Sequence, residues 1–149
     1  CHQPLDVLIS NGLATMAYAL PAAIAAAMNT SDRMVVAFTG DGGLLMCLGE
    51  LSTAVEQGTP IIVIVFNDQS LSLIDIKQQA SGFPSRGMRW QTPNFSQVME
   101  GLGGRGYQVE NLQQYRQALN EALKDGKPAL IDVLVNPDGY APQLKALRG

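Results

Sequence analysis

Met34-Val35-Val36-Ala37-Phe38-Thr39-Gly40-Asp41-Gly42-Gly43-Leu44-Leu45 begins as an apolar run, stops at a glycine-flanked aspartate and restarts as a leucine-rich segment. An apolar run without alternation belongs to a strand buried on both faces, the situation of central strands in a parallel sheet. Ile61 to Phe66 and Ala129 to Val135 have the same character. Between the first two runs, Leu44, Leu45, Leu48, Leu51 and Val55 fall at helical spacing with Glu50 and Glu56 on the wetter side. A helix over Leu44 to Gln57 is therefore expected, ended by Gly58-Thr59-Pro60.

Working outward, the Ala-rich stretch from Ala14 to Met28 reads as a buried helix, and Val7 to Ile9 as an early strand. Phe95 to Leu102 and Leu112 to Leu123 read as amphipathic helices flanking a short strand at Tyr107 to Val109. Ala80 to Pro93, with Gly82, Pro84, Gly87 and Pro93, is the least regular segment and reads as a long loop. After Asn136 the chain is expected to follow the surface and end in a short helical turn. Strands and helices alternate along nearly the whole length, which predicts an α/β fold: a doubly wound, mainly parallel sheet with helices on both faces.

The totals exclude several classes of function. The 149 residues, 46% hydrophobic and 15% charged, suffice for one domain with a substantial core. A net charge of -3 with scattered Lys and Arg offers no stripe for a nucleic acid backbone. No apolar run reaches the roughly 20 residues that span a bilayer. Cys1 and Cys47 form neither a disulfide framework nor a metal-knuckle spacing, which points to a reducing cytoplasm, and the lone histidine, His2, reads as bland. Cys1-His2-Gln3-Pro4 has no initiating Met and no signal-peptide pattern, so the chain is expected to start within a larger protein.

Two polar clusters follow strand ends: Gly40-Asp41-Gly42-Gly43 and Asn67-Asp68-Gln69-Ser70, each opening a helix. Ligands of open α/β sheets bind outside the carboxyl ends of the strands. Glycines beside Asp41 allow a phosphate to approach the backbone. Asp41 and Asn67 offer a carboxylate and an amide oxygen, hard ligands of the kind Mg²⁺ takes when it also holds phosphates. Taken singly, each cluster is better described as a tight turn whose Asp or Asn caps a helix, because strand-to-helix turns favour these residues.

The two clusters together, Gly-Asp-Gly followed after 24 intervening residues by Asn, resemble the signature of thiamin-diphosphate-dependent enzymes. Asn11-Gly12-Leu13-Ala14-Thr15-Met16 and Leu20-Pro21-Ala22-Ala23 are similar to the segment preceding that signature in the acetolactate synthase and benzoylformate decarboxylase branch. The resemblance covers essentially residues 1–149, as the C-terminal domain that binds the diphosphate of the cofactor. It implies that Asp41 and Asn67 ligate Mg²⁺ through their side chains and Gln69 through its backbone carbonyl. It also implies that Gly42 and Gly43 present N–H groups to the diphosphate, with Gly40 flanking them. Met16 falls where the family props the cofactor in its bent shape, and the carbonyl of Ala14 where it receives the pyrimidine amino group. Leu71 joins the cofactor contacts, and Leu73 and Ile74 face either the substrate or the buried side of a helix.

Three departures stand out: Ala14 where Gly is frequent, Gly43 where Ser or Ala is common, and Asp68 where the family often has Asn. None removes an implied ligand. The glutamate that activates the pyrimidine belongs, in the family, to a separate pyrimidine-binding domain, commonly of another subunit. Glu50, Glu56, Glu100, Glu110 and Glu121 do not match it. A central domain, which holds FAD in some relatives, is likewise not represented. The implied function is the cofactor-binding part of a 2-oxo-acid decarboxylase or carboligase, acting on a small 2-oxo acid as a homo-oligomer and inactive alone. The alternative is a non-catalytic nucleotide-binding or regulatory α/β domain using Gly40 to Gly43 as a generic phosphate turn.

Overall fold

The computed structural model describes residues 6–30 and 33–148, so Cys1 and His2 lie outside the described residues. Four strands, β1 (Val35–Gly40), β2 (Ile61–Asn67), β3 (Arg105–Val109) and β4 (Ala129–Leu134), form one sheet in the order β1-β2-β4-β3. All neighbours run parallel. The helices are α1 (Ala19–Asn29), α2 (Asp41–Leu45), α3 (Glu50–Glu56), α4 (Ser72–Ala80), α5 (Phe95–Gly101), α6 (Leu112–Asp125) and α7 (Tyr140–Arg148).

Strand β2 shows why its sequence carries no polar alternation. Ile61, Val63 and Val65 pack on one face with Leu20 and Ile24 of α1, Leu44 of α2, Leu51 of α3, and Phe95 and Met99 of α5. Ile62 and Ile64 pack on the other with Ala118 and Ala122 of α6. The expected doubly wound sheet with helices on both faces is what forms. Asn111 caps α6 by accepting the Gln114 N–H at 3.0 Å, and Gly126 ends it in the left-handed region that glycine adopts without a Cβ clash. Asn94 caps α5 in the same way through the Gln97 N–H.

The segment expected as one helix over Leu44 to Gln57 starts earlier, at Asp41, and divides into α2 and α3. Across the division the backbone makes i→i+3 bonds, Cys47 to Leu44, Glu50 to Cys47 and Leu51 to Leu48, a tighter winding that keeps Leu44 and Leu51 both inward. The expected helix over Ala14 to Met28 begins only at Ala19. Ala14 and Ala17 have φ of 45° and 66°, values incompatible with a right-handed helix, so residues 14–18 form a loop. Pro21 is accommodated in the first turn of α1, where its missing N–H is not needed.

Val7 to Ile9 is not a strand: the three residues pair with none among those described and are exposed. A short apolar run forms a strand only where a sheet edge receives it, and β1 pairs with β2 alone. The irregular stretch after Ala80 is a loop as expected, folded back by an isolated bridge between Ser70 and Arg89. The end of the chain is a 3₁₀ turn at Pro137–Gly139 followed by the nine residues of α7, more than a single turn. No helix among the described residues is long and apolar enough to cross a membrane.

Candidate functional site

Parallel pairing of β1 and β2 puts Gly40 opposite Phe66, so Asp41 and Asn67 leave neighbouring strands at the same level. Beside these strand ends lies a cavity of about 620 Å³. Its wall includes residues 14–19, the Gly40–Gly43 turn, Leu71 at the cap of α4 with Leu73 and Ile74 from its first turn, and Tyr140 from α7. Phe38 and Phe66, on the same face of the sheet as Ile62 and Ile64 but beyond the reach of α6 and exposed, stack with ring centroids 6.3 Å apart and form the apolar floor.

Asp41 is the charged centre of this wall. It opens α2, is 2% exposed, and its Oδ2 is buried without a hydrogen-bond partner among the described residues. Burial raises its carboxyl above the ordinary value of 3.8; the Gly42 N–H works against this, the neighbouring Asp68 carboxylate adds to it, and the Ser70 N–H opposes it. An ionised oxygen held without a donor suits a hard cation.

Side chains crowd the Cα atoms of Gly42 and Gly43. A Cβ on Gly42 would stand 2.8 Å from Leu71 Cδ2 and 3.3 Å from Met16 Cε, and one on Gly43 would stand 2.9 Å from Thr39 Oγ1. Met16, Leu71 and the Trp90 ring thus converge over Gly42.

The structure separates the rest of the expected set. Ala14, Met16, Gly40, Asp41, Gly42, Gly43 and Leu71 all border the cavity, as do Asp68 and Ser70, whereas Asn67 and Gln69 do not. Gln69 turns with φ of 58°, accepts the Trp90 N–H on its carbonyl at 3.1 Å, and faces a smaller cleft shared with Arg89 and Trp90. A carbonyl has a second lone pair, so that bond leaves the oxygen able to take another partner.

Asn67, 3% exposed, is turned inward. Its Nδ2 donates to Asp132 Oδ1 at 2.9 Å and to Thr92 Oγ1 at 3.2 Å, and the Thr92 hydroxyl lies 3.3 Å from its Oδ1. Asp68 holds the loop by accepting the Ser70 N–H and the Ser72 hydroxyl. Among the described residues no three His, Cys, Asp or Glu side chains gather into a metal cluster, so a cation here would draw on fewer than three such groups, with neutral oxygens completing its shell. No glutamate borders the cavity.

Sequence reading passed over Asp132, Thr92, Tyr140 and Trp90. Asp132 left a signal, as the one charge inside the Ala129 to Val135 run. The others gave none, because their places are set by α7 and by the loop that folds back on Ser70.

A family model described as "Thiamine pyrophosphate enzyme, C-terminal TPP binding domain" matches residues 1–133. The chain is 36% identical over 141 residues to acetolactate synthase isozyme 1 large subunit of Escherichia coli (strain K12), covering 92% of this chain and 25% of that protein. It is 32% identical over 142 residues to a 2-hydroxyacyl-CoA lyase of Oryza sativa subsp. japonica, covering 91% and 25%. Among solved structures, a thiamine diphosphate-dependent 4-hydroxybenzoylformate decarboxylase of Rhodococcus jostii RHA1 superposes with a TM-score of 0.76 at 26% identity, over 81% of this chain and 23% of that one. The chain spans about a quarter of the length of the curated relatives it matches.

Proposed function

The chain belongs to the thiamine pyrophosphate enzymes as their C-terminal TPP-binding domain, and on that premise we propose that the intact protein is a thiamin-diphosphate-dependent 2-oxo-acid decarboxylase or carboligase resembling acetolactate synthase. In this reading Asp41, Asn67 and the Gln69 carbonyl hold Mg²⁺, and the N–H groups of Gly42 and Gly43 take the diphosphate. The observation that carries it is the Oδ2 of Asp41, buried at the cavity wall without a hydrogen-bond partner among the described residues and followed by Gly42 and Gly43, over which Leu71, Met16 and Thr39 close in.

When bound, the cofactor supplies an electron sink for the carbon that loses CO₂. The chain's own part is to bind and to exclude water. Asp41 provides the charge that fixes the cation, Met16 and Leu71 close an apolar cover over Gly42, and the Ala14 carbonyl orients the pyrimidine. Phe38, Phe66, Leu73 and Ile74 give the cavity an apolar side suited to the carbon skeleton of a small 2-oxo acid. The activating glutamate comes from a pyrimidine-binding domain of the same or another subunit, in a cytoplasmic homo-oligomer. Any FAD belongs to a central domain and not to these residues.

The test is calorimetric titration of the intact protein with thiamin diphosphate, with and without Mg²⁺, at neutral and at mildly acidic pH. Binding is expected only with the metal. A metal takes the ionised carboxylate, and Asp41 is held above 3.8, so affinity begins to fall on acidification before an ordinary aspartate would protonate. The sign for stability is opposite: native metal-free protein binds the extra proton first, so it gains stability as pH falls through that interval. ATP binding without any thiamin diphosphate binding would instead support a nucleotide-binding or regulatory domain.

A further inference from the structure

We propose that Asp132 is a positioning residue for the metal site, fixing which end of the Asn67 side-chain amide is available to the cation; this rests on the metal reading of Asn67 given above. Asp132 lies on β4 and is 0% exposed. The ladder sets Val65 opposite Asp132 and Asn67 opposite Leu134, so the two polar side chains emerge on the same face of adjacent strands, one step apart.

An ionised carboxylate only accepts hydrogen bonds. Asp132 Oδ1 accepts from Asn67 Nδ2 at 2.9 Å, and Oδ2 lies 3.4 Å from the Gln108 Nε2 donor. The Phe95 N–H supplies a third donor. With the amide reversed, Asn67 Oδ1 would face a carboxylate oxygen in a site sealed from water, acceptor against acceptor. Burial raises the Asp132 carboxyl; while it is ionised, that orientation is closed to Asn67. Its oxygen must therefore lie on the side away from Asp132, where the Thr92 hydroxyl at 3.3 Å is its hydrogen-bond partner among the described residues. Thr92 does not decide the orientation, because a hydroxyl both donates and accepts and contacts both ends of the amide. The choice falls to Asp132.

A hard cation takes amide oxygen and never the NH₂ group. A buried acceptor that directs the nitrogen inward thus does for an asparagine ligand what a carboxylate behind a ligating histidine does for its ring. Asp132→Asn keeps the volume but can either donate or accept, so both orientations of Asn67 become available.

The experiment measures Mn²⁺ in place of Mg²⁺ on the intact protein with thiamin diphosphate present, counting free Mn²⁺ by electron paramagnetic resonance. It is paired with the unfolding midpoint of each metal-free variant. Asp132→Asn is expected to weaken Mn²⁺ binding by about 10- to 100-fold, with the metal-free midpoint unchanged or higher. Asp132→Glu, which keeps the acceptor, should recover most of that loss. If Asp132→Asn does not fold, Asp132→Ser serves: a hydroxyl both donates and accepts, so it too leaves the Asn67 amide free to reverse, and Mn²⁺ binding should weaken by about 10-fold or more. Wild-type affinity in Asp132→Asn, or in Asp132→Ser where Asp132→Asn does not fold, or a loss of affinity that only follows a fall in the metal-free midpoint, would overturn the proposal. Wild-type protein that takes up no Mn²⁺ with thiamin diphosphate would overturn the underlying metal reading instead, a result visible before any variant is made.

Discussion

Asp41→Ala eliminates metal-dependent binding of thiamin diphosphate while leaving the protein folded. Asp41 is the only charged member of the proposed ligand set, since Asn67 and the Gln69 carbonyl are neutral. Loss of an outer partner of a metal ligand typically costs about 10- to 100-fold in metal affinity, so loss of the charged ligand itself should exceed about 100-fold. Stability should change little. The substitution removes a carboxylate whose Oδ2 is buried without a partner, and that desolvation offsets the bonds lost from the Gly42 and Ser70 N–H groups. The check is titration of the variant with cofactor and Mg²⁺, alongside its unfolding midpoint without metal. Unaltered binding would remove Asp41 from the site.

Gly106→Ala has the largest expected effect on the fold. Gly106 lies in β3 directly beneath the start of α5, and a Cβ there would stand 2.0 Å from the Ser96 carbonyl oxygen and 2.6 Å from its carbon. Both atoms are backbone, so no rotamer change relieves the overlap. Overpacking commonly costs about 1–3 kcal/mol, and displacement of a helix belongs at the upper end or beyond. At roughly 2–4 °C per kcal/mol, a loss of about 3 kcal/mol lowers the unfolding midpoint by about 10 °C. Gly101→Ala is the control, because nothing lies within 4 Å of its Cβ and it sits in α5, where Ala is favoured over Gly by about 1 kcal/mol. Scanning calorimetry of the two variants should show shifts of opposite sign. The contrast reaches the site as well, because α5 carries the Phe95 N–H that helps hold Asp132.

Much of the fold was legible because burial on both faces writes itself into composition. Ile61 to Val65 contains no polar residue, and the structure buries all five on alternating sides of the sheet. The Gly40–Gly43 turn was legible because glycines beside an aspartate at the end of an apolar run stand out in composition, and Leu71, Met16 and Thr39 close in on Gly42 and Gly43. Periodicity failed where the same pattern serves two windings. Leu44 and Leu51 keep their spacing whether the helix is continuous or tightened between Leu45 and Glu50, so the break left no trace in the apolar positions. It failed also at Val7 to Ile9, where strand propensity found no partner edge, and at Ala14, where a left-handed backbone hides behind a good helix former.

The site was legible in its outline and not in its interior. Asp41 and its glycines border the cavity, but Asn67 points into the sheet toward a residue 65 positions away. Pairings of that kind depend on β4 entering between β2 and β3, which no local pattern encodes. Asp132 consequently became visible as a functional residue only once the strand order was known.

The most direct test of the central claim is the anomalous scattering of Mn²⁺ in crystals of the intact protein grown with thiamin diphosphate. One strong peak with octahedral oxygen coordination is expected, at about 2.0–2.3 Å from an Asp41 carboxylate oxygen, Asn67 Oδ1 and the Gln69 carbonyl oxygen, with the diphosphate against Gly42 and Gly43. A peak elsewhere, or a diphosphate bound with Asp41 and Asn67 outside the coordination shell, would contradict it.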